Sequence, residues 1–154
     1  MYRKHIVIAG LLFLSGFSAL AQADNPKYDK KLADSLQSDD YGMKIYYLVI
    51  LKTGTNTTES KAKTDSLFSG HMGNIGRLVS AGKLVVAGPF QKNDKSYRGI
   101  FILNAASSTE AKALLETDPA IKHKLLEAEV YGWYGSAALP MYLPYHDKLE
   151  KKKM

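Results

Sequence analysis

Apolar and polar positions change rhythm several times along this chain, and each rhythm predicts an element. Lys44 to Leu51, KIYYLVIL, is a continuous β-branched and aromatic run, as expected of a central strand covered on both sides. A polar loop, KTGTNTTESKAK, follows; Asn56-Thr57-Thr58 in it reads as loop chemistry rather than as a glycosylation acceptor. From about Asp65 to Ala81 the residues Leu67, Phe68, Met72, Ile75, Leu78 and Val79 fall on one helical stripe, and Gly82 is placed for a left-handed cap. Leu84 to Phe90 predicts a second strand ended by Gly88-Pro89. Arg98 to Asn104 predicts a third, joined to it as a hairpin through a turn with Asn93-Asp94 at its tip. A capping box, Ser107 to Glu110, opens a second helix with Ala111, Leu114 and Leu115 on one face. Asp118-Pro119 interrupts that helix, a short turn AIKHKLL follows, and Glu127 to Gly135 alternates as a fourth strand.

The order is β-α-β-β-α-β, the split βαβ unit of a ferredoxin-like sandwich, hence an α+β fold. Two helices cover one face of a four-stranded antiparallel sheet. The other face, if left open, exposes a broad apolar area, so a homodimer through the sheet face is expected.

The flanks follow different rules. Residues 1–23 carry Arg3 and Lys4, an apolar run from Ile6 to Leu20, and small residues at Ala19, Ala21 and Ala23. That pattern predicts a secretory signal peptide, an exported (periplasmic or secreted) bacterial protein, and no membrane insertion after cleavage. Residues 24–43 form a polar arm with a helical turn around Lys30 to Leu36, the folded domain spans 44–135, and 136–154 is a tail. Pro140 and Pro144 predict that the tail is extended, with Met141, Tyr142, Leu143 and Tyr145 as apolar anchors along the body.

The 154 residues include no cysteine, which excludes lipoprotein attachment, disulfides and thiolate metal sites. Removing Arg3 and Lys4 from the 21 basic residues leaves 19 against 15 acids, a formal net of +4, with Lys151, Lys152 and Lys153 in the tail. The body is therefore near neutral, and no basic face with interleaved aromatics suggests nucleic acid.

One residue breaks the first helical stripe. His71 lies among its apolar positions, with Gly70 and Gly73 expected to leave room beside the imidazole. By spacing alone it is a core-edge histidine satisfied by a backbone carbonyl, and Asp118 is an N-cap with Pro119 at the first helical position. If the two meet inside a hollow between sheet and helices, the carboxylate fixes the imidazole tautomer and leaves a general base with an orienting partner.

The segments GHMGNIGRLVSAGKLVVAGPF, GIFILNAASSTEAKALLETDPAI and AEVYGWYG resemble the YCII-related family of small dimeric α+β-barrel proteins, over roughly Lys44 to Tyr134. The matching parts are the helix histidine, Gly82, Leu84, Gly88 and Pro89, the glycine at Gly99, and the Asp-Pro after the second helix. The resemblance implies a ferredoxin-like fold of the dimeric α+β barrel type and a His–Asp site, which by position falls on His71 and Asp118. It further implies cofactor-free proton transfer of lyase, isomerase or dehydrochlorinase type on a small cyclic or phenolic compound. Dehydrochlorinase-type members act on substituted hydroxyquinols, and muconolactone-isomerase-like relatives share the wider fold. The leader, arm and tail depart from the compact family pattern.

Rival chemistries fit less well. His123 and His146 lie at no ligand spacing from His71, so no metal is expected. Ser69 and His71 point to different helix faces and no G-x-S-x-G elbow occurs, while the glycines at 70, 73 and 76 lie inside a helix rather than ahead of one. Two classes remain. One is an enzyme with His71 as acid or base, Asp118 as orienter, and Arg77 and Arg98 binding substrate at the rim. The other is a non-catalytic small-ligand-binding or structural dimer of the cell envelope.

Overall fold

The computed structural model describes residues 25–152, so the leader expected over residues 1–23 lies outside the described residues. Along the chain run α1 (Lys30–Leu36), β1 (Met43–Thr53), α2 (Lys61–Ser80), β2 (Leu84–Pro89), β3 (Tyr97–Leu103), α3 (Ser108–Leu115), α4 (Pro119–Lys122) and β4 (Leu126–Ser136). A 3-10 turn (Leu139–Tyr142) and α5 (Leu143–Leu149) complete it.

The strands form one antiparallel sheet in the order β2-β3-β1-β4. The long apolar run of β1 takes an inner position between β3 and β4, where both edges find partners. Strand alternation sends Val49, Leu51, Phe101 and Leu103 to one face. There they meet Leu78 of α2, Ala111 and Leu115 of α3, and Ala120 and Ile121 of α4 in a single core. Helix α2 begins earlier than its apolar stripe suggests, because Ser60 caps it by accepting the Lys63 N–H. It ends at Gly82, whose φ of 66° is the left-handed conformation glycine adopts without penalty.

Two expectations need correction. The closed barrel implied by the dimeric α+β barrel type is not what the chain forms: among the described residues the sheet is open, with β2 and β4 as its edges and helices on one face. Four strands are about half the number that closes a small barrel. Strand β1 is accordingly covered by helices on one side only.

The tail is also not extended. Pro140 and Pro144 each sit in the first turn of a helical segment, where a missing N–H costs nothing and the fixed φ is already helical. Tyr46, on the face away from the helices, is fully buried. Its hydroxyl donates to the carbonyls of Ser136 and Ala137 at 3.1 and 3.3 Å, and Trp133 packs beside it. Farther on, the Tyr142 hydroxyl donates to the Val85 carbonyl, so the tail ties the β4 edge back to β2. Leu48, Ile50, Ile100 and Ile102 remain half-buried on that face, and Tyr131 is exposed.

At the other terminus, the polar arm holds α1 over Lys30–Leu36, and Asp39 fastens the segment to the sheet. Its carboxylate accepts the Tyr41 and Met43 N–H groups and the Tyr134 hydroxyl of β4. Those bonds hold the Asp39 carboxyl below its usual range, the tyrosine contributing most, while Tyr134 is pushed up to about 12. Among the described residues no helix is long and apolar enough to cross a membrane.

Candidate functional site

The inward stripe of α2 reads Leu67, His71, Asn74, Leu78 at steps of four, three and four, so its middle is polar. Leu67, Asn74 and Leu78 are buried, Phe68, Ile75 and Val79 pack against the core, and Met72, expected on the stripe, turns out toward solvent. The His71 ring stacks on Phe101 of β3 at 5.9 Å between centroids and meets the Phe68 ring edge-on at 6.2 Å. It is 11 % exposed.

Asp118 approaches from the junction of α3 and α4, fully buried. Its Oδ1 accepts the Ala120 N–H at 2.9 Å and the Ile121 N–H at 3.4 Å, capping α4 with Pro119 in its first turn. Its Oδ2 lies 2.6 Å from His71 Nδ1. The cap and the histidine partner, weighed as alternatives from sequence, are one carboxylate using separate oxygens. An acceptor at Oδ2 places the imidazole proton on Nδ1, an assignment from bonding logic, and leaves the Nε2 lone pair unused. Nε2 makes no hydrogen bond among the described residues. It is also not among their buried unpartnered atoms, so solvent reaches it.

The close packing of α2 on α4 depends on Gly70. A Cβ there would stand 2.9 Å from Cγ of Pro119. At Gly70 the expected space is therefore filled by proline, which brings residue 118 to the ring, whereas a Cβ at Gly73 would meet nothing within 4 Å.

The two arginines are not brought together at the pair. The Arg77 guanidinium donates to Asn74 Oδ1 at 2.7 Å and to Thr117 Oγ1 at 2.7 Å, clamping α2 to the residue before Asp118. Arg98 is exposed and, by strand alternation from buried Gly99 and Phe101, lies on the opposite sheet face from His71. Asn74 escaped the sequence reading, although its step from His71 and Leu78 was the same signal that exposed the histidine.

The hollow expected between sheet and helices at the pair is neither of two open depressions found among the described residues. One, of about 480 Å³, lies by Lys44, Lys83 and Asn104. The other, of about 520 Å³, lies between α3, α4 and β4 by Glu116, Ile121 and Val130. His71 lines neither. Among the described residues no three of His, Asp or Glu converge as a metal site would require.

In sequence, the YCII-related domain matches residues 45–133, which spans β1 through most of β4 and includes both members of the pair. No curated protein matches the chain. A solved structure, the 5-chloro-2-hydroxyhydroquinone dehydrochlorinase of Burkholderia phenoliruptrix in complex with 2,5-dihydroxybenzoquinone, is similar at 23% identity and a TM-score of 0.41. The similarity covers 56% of this chain and 92% of that one.

Proposed function

The chain belongs to the YCII-related domain family, and from that premise we propose that it is a small-molecule enzyme working by proton transfer at the His71–Asp118 pair. One observation carries the proposal: a fully buried carboxylate divides its oxygens between a helix cap and His71 Nδ1, holding the ring with Nε2 unbonded and reachable. Such a ring accepts a proton at Nε2, and Asp118 beside it stabilises the imidazolium that forms. The reaction class is lyase-, isomerase- or dehydrochlorinase-like, on a small cyclic or phenolic compound, as the family resemblance implies. Arg77, bonded next to Asp118, is the better placed of the two arginines to attract an anionic group; Arg98 faces away.

The rival function is a scaffold, with the pair clipping α2 to α4. It draws support from the position of both open depressions away from His71. A panel of small phenols and lactones, screened by thermal shift against wild type and His71→Asn, separates the two. The enzyme reading expects ligands that raise the melting temperature of wild type but not of the variant, with both proteins similarly stable alone. Loss of several kcal/mol in the variant, with no ligand acting on either protein, establishes the scaffold.

A partner is part of the same proposal: a second copy lies on the open sheet face, over Leu48, Ile50, Ile100, Ile102 and Tyr131. Sedimentation equilibrium tests it, since a strictly monomeric protein at micromolar concentration rejects that surface as an interface.

A further inference from the structure

Asn74 puts a polar amide into the apolar stripe of α2, and only 7 % of the residue is exposed. Its Nδ2 has no hydrogen-bond partner among the described residues. Bonding fixes which amide atom is which. Arg77 brings N–H groups to the other one at 2.7 and 3.3 Å, and a guanidinium can only donate, so that atom is oxygen. The stranded NH2 carries an uncompensated desolvation penalty that leucine, nearly the same in shape, would not. Nor do the partners of the oxygen need it. Arg77 and Thr117 are both exposed, so water can satisfy the guanidinium, and the Thr117 hydroxyl also reaches the Leu114 carbonyl at 2.6 Å. For stability alone, asparagine is the wrong residue here. What it supplies is a crossing between elements. Arg77 Nη2 stands 2.7 Å from Asn74 Oδ1 and 2.7 Å from Thr117 Oγ1, and Oγ1 is 3.1 Å from the same Asn74 oxygen. This clasp joins the turn of α2 that follows His71 to the residue that precedes Asp118.

We infer that Asn74 is a positioning residue of the His71–Asp118 pair, whose oxygen, through Arg77 and Thr117, holds Asp118 against the ring; it serves the site rather than the fold. The inference rests on the proton-transfer reading above and deepens it. Beyond Asp118, Pro119 rests on Gly70 of α2. Before it, the clasp ties Thr117 to the same helix. Held from both sides, the Asp118 carboxylate keeps Oδ2 at 2.6 Å from His71 Nδ1. Working geometry in such a site tolerates only about 0.5 Å of play, and neighbouring hydrogen bonds set that limit. Without the clasp, α2 and the junction of α3 and α4 can part on the Thr117 side, and the bond between Oδ2 and Nδ1 lengthens. The imidazole then loses its fixed orientation and part of the negative charge that stabilises its protonated form.

Asn74→Leu in the full chain tests this by three readouts. The urea midpoint should stay level or rise. The far-downfield Nδ1 proton of ligand-free His71 should move upfield. Hydrogen–deuterium exchange at the acidic C–H of α-angelica lactone should slow about 10- to 100-fold in kcat, with KM little changed because Asn74 touches no ligand. Thr117→Val, a near-isostere at an exposed position, cuts the clasp from a different element and should move the Nδ1 signal the same way. An Nδ1 signal unmoved in either variant overturns the inference and leaves the proton-transfer reading standing; a shift in Asn74→Leu alone marks only repacking beside the ring. A lowered midpoint in Asn74→Leu overturns it too, since the asparagine would then be serving the fold. A wild-type protein that does not accelerate the exchange overturns the proton-transfer reading, and the role of Asn74 with it.

Discussion

Replacing Asp118 by asparagine separates the two tasks of its carboxylate. Oδ1 caps α4 through the Ala120 and Ile121 N–H groups, while Oδ2 faces His71 Nδ1. Asparagine caps helices as well as aspartate, so its oxygen stays on the backbone and its NH2 turns to the imidazole. Two N–H groups cannot face each other, so the ring must move its proton from Nδ1 to Nε2. A charge-assisted hydrogen bond of about 1.5–3 kcal/mol is thereby exchanged for a neutral one near 1, and Asp118→Asn costs about 1–2 kcal/mol. Asp118→Ala loses the cap as well, about 1 kcal/mol, and strands a buried N–H for about 1–3 more, roughly 2–4 in total. Urea unfolding reads the stabilities, and the nitrogen-15 spectrum of the imidazole reads the tautomer. The asparagine variant should keep most of its stability but lose the base, since Nε2 now carries the proton. The reasoning is refuted if the alanine variant loses under about 1 kcal/mol. It is equally refuted if the asparagine variant keeps its proton on Nδ1.

Gly70→Ala gains about 1 kcal/mol of helix propensity but must push Pro119 away, so its net stability cost is about 0–2 kcal/mol. The far-downfield Nδ1 proton of His71 should move upfield as the bond to Asp118 lengthens; an unmoved signal contradicts the packing argument. Tyr134 donates to Asp39, so its neutral form is favoured in the folded chain: that support is complete below pH 10 and is lost as pH rises toward about 12. The Asp39 carboxyl, being lowered, supports the fold above its unfolded value and loses that support as pH falls through its folded one. Tyr134→Phe should remove one late-ionising group from the ultraviolet titration near pH 12, and an unchanged curve rules out the pairing. Tyr142→Phe removes the tie to the Val85 carbonyl and should cost about 0.5–1.5 kcal/mol in urea unfolding, whereas no loss means the tail is not anchored there.

The strands and both long helices were legible because each carries its own periodicity, and Gly82 and Ser107 mark ends by local chemistry alone. Ser107 Oγ accepts the Glu110 N–H, while the Glu110 carboxylate reaches the Ala106 N–H one residue before the cap. His71 was visible as a polar interruption of an apolar stripe. Asn74 interrupts the same stripe, but one reason for its being there, the contact with Thr117, spans 43 residues of sequence. The tail misled because proline breaks a helix interior yet suits a first turn, and the residues ahead of Pro140 and Pro144 do not distinguish the two. Sheet closure was beyond reach for another reason: whether strand edges meet depends on twist and strand number over the whole sheet, and no short stretch of residues encodes it.

The central claim is that His71 moves protons to and from a small ligand. Its most direct test is the rate at which the full chain exchanges hydrogen for deuterium in heavy water at the acidic C–H of an unsaturated lactone, wild type against His71→Asn. The account predicts wild-type acceleration that falls about 10²- to 10⁴-fold in the variant, the usual share of a positioned acid or base. Equal rates in the two proteins would contradict it.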